Sequence, residues 1–217
     1  MGVYFKLYKS RGLKLVFAYF WNAHLFDLIN GTETHKMRLS DEIFSQLGNI
    51  QNTAPYMVSW TKTLRDTQNY IAKLNMDLSE FTFVDYGCGK GKAILWSQKK
   101  DILNLGNNYL GIDFDESLIK IARANARKMN LNSDVFYHNN VLDFPYYTNL
   151  EISFLYNPFD EIVLIRLLTT LRKRSKFVIY INPIYRQLFI NSGFRTYIKR
   201  DSWHANLSYE IFVNESL

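Results

Sequence analysis

Phe83-Val84-Asp85-Tyr86-Gly87-Cys88-Gly89-Lys90-Gly91-Lys92 is the stretch that decides how this chain folds. A short apolar run ends in an acid, three glycines alternate, and Ala93-Ile94-Leu95-Trp96 continues as a helix would. The pattern reads as a buried strand, a tight loop and a helix start. Glycine reaches positive φ and lets a ligand come close to the backbone. A helix N-terminus offers unpaired N–H groups to something polar. A carboxylate at the strand end has no use in a phosphate cradle. It suits a cationic ligand that carries an amino acid.

Working outward, Asn108-Tyr109-Leu110-Gly111-Ile112-Asp113 reads as the next strand and ends in a second acid. It lies about 20 residues past the glycine loop, the offset at which an acid reaches ribose hydroxyls in dinucleotide-type folds. Further strands are expected at 134–138, 152–156, 177–181, 195–199 and 207–213, with helices at 92–99, 117–129 and 161–172 between the first five. Alternating strand and helix implies a parallel sheet covered on both faces. The last two strands follow one another directly and suit an antiparallel hairpin at one edge. The segment 138–151 reads mostly as loop. Ligands in such sheets bind beyond the carboxyl ends of the strands. Asp85, Asp113, Asn140 and Asn157 end four strands and are expected to share one crevice.

On these residues the chain resembles the class I S-adenosylmethionine (SAM)-dependent methyltransferases, over about residues 80 to 213. The nicotinamide fingerprint fits less well, because Lys92 stands where a third glycine belongs. Phe26-Asp27…Gly31-Thr32-Glu33-Thr34 and Tyr156-Asn157-Pro158-Phe159 resemble a group of small bacterial methyltransferase-domain proteins. The glycine loop is more loosely similar to that of non-SET-type lysine N-methyltransferases. The resemblance implies an α/β, Rossmann-like fold with a seven-stranded, mostly parallel sheet of order 3-2-1-4-5-7-6.

It also implies the cofactor, SAM, and a set of site residues. Asp85 would lie near the methionyl ammonium; its other reading is a cap for the glycine turn. Gly87, Gly89 and Gly91 would let the backbone approach the ligand. Asp113 would accept from the ribose hydroxyls, and Phe114 would cover the adenine or belong to the core. Asn140 stands where the group commonly has an acid that reads the adenine amine, with Asp143 as the fallback. Tyr86, Val141 and Tyr156 complete the cofactor-binding set. Asn157-Pro158-Phe159 is a partial match to the Asn-Pro-Pro-Tyr signature of amino methyltransferases. There Asn157 would hold a nitrogen lone pair in line, and Pro158 disfavours an α conformation before it. The other reading is a loop and helix start. Tyr56 and Trp60 would close over the cofactor or pack in the core.

The remaining features set bounds. The 217 residues, 47% apolar, suffice for a core without staples. The expected organisation is a helical cap over residues 1–75, with helices at 4–29, from Ser40 and at 59–74, and a cofactor domain over 76–217. A polar loop is expected at 48–55. One cysteine, Cys88, excludes an intramolecular disulfide and fits a reducing, cytoplasmic setting. No zinc motif appears among the four scattered histidines. The net charge of +6 favours acidic partners mildly. Arg166, Arg172, Lys173, Arg174 and Lys176 fit a helix end or an acidic substrate. Lys90 and Lys92 are expected to face solvent. The basic segment 1–14 and the apolar run after it are too short to span a membrane. They are expected to pack on the rest of the chain, with no stable anchor; the other reading is an amphipathic helix lying in a membrane interface. The function expected is methyl transfer, with a protein amine favoured and nucleic acid or a small molecule as other acceptors. The alternatives are a SAM-binding partner subunit of low activity or an NAD(P)-dependent oxidoreductase.

Overall fold

The structure, a computed structural model, describes residues 3–36, 57–145 and 150–217. The helix expected from Ser40, the loop at 48–55 and Tyr56 lie outside the described residues.

Seven strands form one sheet: β1 (Thr82–Tyr86), β2 (Tyr109–Asp113), β3 (Phe136–His138), β4 (Glu151–Leu155), β5 (Ser175–Ile181), β6 (Arg195–Arg200) and β7 (Tyr209–Val213). The spatial order is β3-β2-β1-β4-β5-β7-β6. The first five run parallel, and β7 enters antiparallel between β5 and β6. β1 and β4 are buried along their whole length, as central parallel strands are.

Alternate residues of each strand feed two cores. Phe83, Ile152 and Phe177 pack under α3 (Thr61–Ala72), α4 (Lys92–Lys100) and α5 (Glu116–Lys128). Val84, Leu155 and Val178 pack under α6 (Glu161–Arg174) and α7 (Arg186–Asn191). Each fully buried large side chain adds about 1.5–3 kcal/mol. The helices on the two faces are capped alike. Asp115 accepts from Ser117 and Leu118 N–H at the start of α5, and Asp160 accepts from Val163 N–H at the start of α6. Both end in basic residues, which favours them at the negative end of the dipole. Two of the basic cluster are tied into the fold: Arg172 donates to Gly193 O and Asn214, and Lys176 donates to the backbone of Asn214 and Leu217.

The N-terminal helix expected over 4–29 is interrupted twice. α1 (Val3–Tyr19) bends at Arg11 and Gly12, where Gly12 takes φ 68°. A π-turn at Phe20–His24 then leads into α2 (Leu25–Asn30), which Gly31 ends at φ 64°. Leu15, Tyr19 and Ala23 are buried, so one face of this segment packs as expected. The opposite face does not. Two smaller differences concern ends of elements. β3 begins at Phe136, because Asp134 N–H closes a turn on Asn132 Oδ1 and the Ser133 hydroxyl donates to Asp134. α7 was not expected from the sequence. No described helix is long and apolar enough to cross a membrane.

Candidate active site

A cleft opens at the carboxyl ends of β1, β2 and β4. Asp85, Asp113, Phe114, Tyr156, Asn157 and Pro158 line it, with Cys88, Asp115 and Phe159. Three of the four expected strand-end residues therefore share one crevice. The fourth, Asn140, does not.

The acids are set from two strands. Asp85, the last residue but one of β1, is buried and accepts no hydrogen bond from any described residue. Burial, and then the neighbouring Asp113, push its carboxyl well above the usual range. Asp113 ends β2. Its Oδ2 accepts from Gly89 N–H at 2.8 Å and its Oδ1 from Asp115 N–H at 2.9 Å. Burial raises its pKa to about 6, against the pull of those two bonds. Each carboxylate oxygen still has a lone pair to offer. These acceptors suit a ligand with a cation at one end and vicinal hydroxyls at the other, as SAM has.

Gly87 lines the cleft, as expected of the loop, and the glycines also make room within the protein. Gly87 sits at φ 81°, and a Cβ there would meet Pro158 Cβ at 2.6 Å. Gly91 caps α4 at φ 82°, and a Cβ there would meet the Phe136 ring at 2.7 Å. Both glycines make room for protein side chains. Gly89 fastens the loop to Asp113 through its N–H. Gly87 and Cys88 N–H both bond to Ile112 O at 2.9 Å, so the loop is tied to β2. Burial and the two acids raise the Cys88 thiol well above its ordinary value. That removes it as a nucleophile at neutral pH.

Asn157 follows β4 at φ 41°, a positive value rather than the extended backbone expected before proline. Asparagine is among the few non-glycine residues that tolerate this. Its Oδ1 accepts from the Tyr180 hydroxyl at 2.8 Å, which fixes the carboxamide at the rim of the cleft. Tyr156 lines the cleft beside it, and burial raises its phenol.

Lys90 and Lys92 are buried, contrary to the expectation that they face solvent. Lys92 Nζ donates to Asn22 O at 2.8 Å and Ala23 O at 3.0 Å, inside the π-turn. Its ammonium also lies 5.2 Å from the Phe26 ring centre. Burial lowers its pKa to about 7. Lys90 pairs with Glu33 at 3.0 Å. Glu33 sits in a turn built around Asp27, whose carboxylate accepts from Thr32, Thr34 and His35. Burial raises the Asp27 carboxyl, but those bonds outweigh it and hold the pKa low. Asn125 of α5 bridges the two parts, bonding Glu33 N–H, Glu33 O and Lys90 O. The Phe26-Asp27…Thr34 motif is thus a clamp on the glycine loop.

Other expected site residues lie elsewhere. Asn140 is exposed: its amide oxygen accepts from Leu142 N–H and its Nδ2 donates to Asp143. This local Asx turn competes for the side chain, and neither residue is among those that line the cleft. Val141 packs in the core under α6. The Tyr86 side chain leaves the cleft side of the sheet, and its hydroxyl donates to Glu151 at 2.8 Å. Trp60 is buried and stacks on His204 at 4.5 Å, so it belongs to the core. Met57 and Ser59 line the cleft in its place. Sequence reasoning missed Asp115, Tyr180 and the clamp. An acid just before a helix start was the available signal for Asp115.

The profile of a family described as methyltransferase domain matches residues 77–205, more than half of the chain. A search of curated protein sequences finds no match. Among solved structures, magnesium protoporphyrin IX methyltransferase from Synechocystis PCC 6803, crystallised with bound SAM, superposes with a TM-score of 0.51 at 13% identity, covering 92% of this chain and 94% of that one. Ribosomal protein L11 methylase from Lactobacillus delbrueckii subsp. bulgaricus gives 0.47 at 15% identity, covering 68% and 75%. A TehB-like SAM-dependent methyltransferase from Corynebacterium glutamicum gives 0.47 at 13% identity, covering 68% and 87%. The first of these likenesses shows the fold, and the family match carries the assignment. With the sheet order and the two strand-end acids, it makes the chain a member of the methyltransferase-domain family, a SAM-dependent methyltransferase.

Proposed function

We propose that the protein transfers a methyl group from SAM to an amine nitrogen, a protein amine being the favoured acceptor. The observation that carries this reading is the fixed carboxamide of Asn157 at the rim of the cleft that holds Asp85 and Asp113. SAM supplies an activated methyl on a good leaving group. The chain's own residues then have to bind, orient and keep water out. Asp85 receives the ligand's ammonium, and Asp113 receives the ribose hydroxyls through its free lone pairs. Phe114 lies against the adenine. Asn157 Oδ1 has one lone pair left beside Tyr180, and it accepts from the acceptor N–H and so turns the nitrogen toward the methyl. Pro158 and Phe159 wall the acceptor side. Holding the two reactants in line supplies most of the rate, since effective molarity does the work that acids and bases do elsewhere. A dry site also favours the neutral amine.

In this reading residues 1–75 form a helical cap and residues 76–217 the cofactor domain. The clamp through Lys92 and Glu33 supports treating the two as one working unit. The lone buried Cys88 supports a reducing compartment, the cytoplasm. The test is transfer of tritiated methyl from SAM into fractionated protein, RNA and small-molecule pools. Label in acid-stable protein N-methyl groups is the expected result. Label only in RNA, or only in small molecules, overturns the protein acceptor.

A further inference from the structure

The face of α1 that turns away from the other described residues is apolar. Leu13, Phe17 and Trp21 follow at four-residue spacing, which sets them on one side of the helix and π-turn. They are 60%, 60% and 62% exposed, and Ile29 in α2 is 69% exposed. Leu15, Tyr19 and Ala23, on the other side, are buried. A helix that is apolar on two sides and partnered on one has a second apolar surface to meet.

Charge says which kind. Trp21 and Ile29 border a groove whose far wall carries Arg65, Lys99 and Lys100, with Trp96 between, and no acid lines it. These three cations are exposed, and Lys99 Nζ reaches Asn30 Oδ1. Residues 3–26 hold Lys6, Lys9, Arg11 and Lys14 and no acid. The first acid, Asp27, is buried and spent on its turn. A second copy of the chain would bring the same cations against these, which is repulsive. Large apolar side chains rimmed by lysine and arginine match the boundary of an anionic bilayer, where acyl chains take the first and phosphates the second.

We propose that this face docks on the surface of an anionic membrane, lying in the interface without spanning it. One helix face without an acyl chain gives reversible, salt-sensitive attachment, not a stable anchor. Lys92 at the first turn of α4 lines the cofactor cleft, and Lys99 and Lys100 at its last turn line the groove. The two sites are therefore at opposite ends of a helix roughly 13 Å long.

The test is flotation of the full chain with vesicles of equal parts phosphatidylglycerol and phosphatidylcholine, beside pure phosphatidylcholine. Co-flotation is expected with the anionic vesicles only, and it weakens as salt rises. Lys99→Gln with Lys100→Gln lowers the partition coefficient roughly 30-fold, at about 1 kcal/mol for each basic residue at the surface. Phe17→Ser with Trp21→Ser also detaches the protein. Both double variants keep the parent's circular dichroism and SAM affinity, because the side chains changed are exposed and outside the cleft. The proposal is overturned if the protein stays unbound at low salt, floats equally with neutral vesicles, or floats unchanged in both variants. It is also overturned if sedimentation shows a dimer that the Phe17 and Trp21 variant dissolves, or if an acidic polypeptide binds where vesicles do not.

Discussion

Asp113 is a buried carboxylate that already holds two backbone N–H groups and still has acceptor capacity facing a cleft. In the free protein that arrangement is costly, as its pKa of about 6 records. A ligand that donates two hydroxyls to it recovers part of the cost. Asp113→Ala should weaken SAM binding by about 1.5–3 kcal/mol, the scale of hydrogen bonds to a charged group. Calorimetry showing unchanged affinity in a folded variant would remove Asp113 from the site. Since the ionised form is the acceptor, the dissociation constant should fall as pH rises through about 6. Gly87 makes a different residue-scale case. A Cβ would stand 2.6 Å from Pro158 at φ 81°, so Gly87→Ala should cost about 1–3 kcal/mol in overpacking, read from urea unfolding. Asn157→Ala should leave SAM affinity near the parent value and slow methyl transfer on the order of 10²-fold, by analogy with the loss of one orienting hydrogen bond elsewhere. If affinity and rate fall together, Asn157 belongs to the cofactor's contacts instead.

At the scale of elements, the sequence was most legible where one period ran without competition. β1, β2 and the helices after them follow from an apolar run, an acid, glycines and a capped amphipathic pattern. Their order in the sheet came from family likeness, because periodicity does not rank strands. The misreadings have physical sources. Lys90 and Lys92 looked solvent-facing because lysine usually is. Their partners, Glu33 and the carbonyls of Asn22 and Ala23, lie far away in sequence and could not be paired with them in advance. Asn140 looked like a strand-end ligand, but a turn within its own five residues claims its side chain. The glycine loop was identified correctly as a loop, yet Pro158 and Phe136 are what fill the space that two of its glycines leave. The clamp itself is testable as an element. Lys92→Met keeps the apolar stem near Phe26 and removes the donor from two buried carbonyls. It should destabilise the docking of the N-terminal helices by about 1–3 kcal/mol, the cost of leaving such groups unpaired. Hydrogen exchange should rise in 15–30 before it rises in the sheet; uniform change across the chain would show that Lys92 supports the whole fold and not the clamp.

Of the three buried acids that line the cleft, Asp85 and Asp113 have raised pKa values, and this sets how stability responds to pH. A carboxyl whose folded pKa is raised keeps its proton where the unfolded chain has already released it. For Asp113 that window runs from 3.8 to about 6, and Asp85 is shifted the same way. The folded state binds more protons there, so Asp113's contribution falls as pH rises through its window and is flat above it. Asp113 alone accounts for a loss on the order of 3 kcal/mol, at about 1.4 kcal/mol per pKa unit. Lys92 acts in the opposite sense and in a different window. Its folded pKa of about 7 lies below the ordinary 10.5, so its contribution rises with pH between those values. SAM should change the first effect and leave the second. Its ammonium and hydroxyls favour the ionised acids, so the bound form does not pay the penalty that the free form pays. The rise in melting temperature on adding SAM should therefore grow as pH rises from 4 through 6. At a hundredfold excess over the dissociation constant it corresponds to about 2.7 kcal/mol. NADH, which brings hydroxyls but no ammonium for Asp85, should give little shift at any pH. A SAM-induced shift that shrinks as pH rises through 6 would mean that the acids meet the ligand protonated, and Asp85 and Asp113 would not then be the groups that hold its ammonium and ribose.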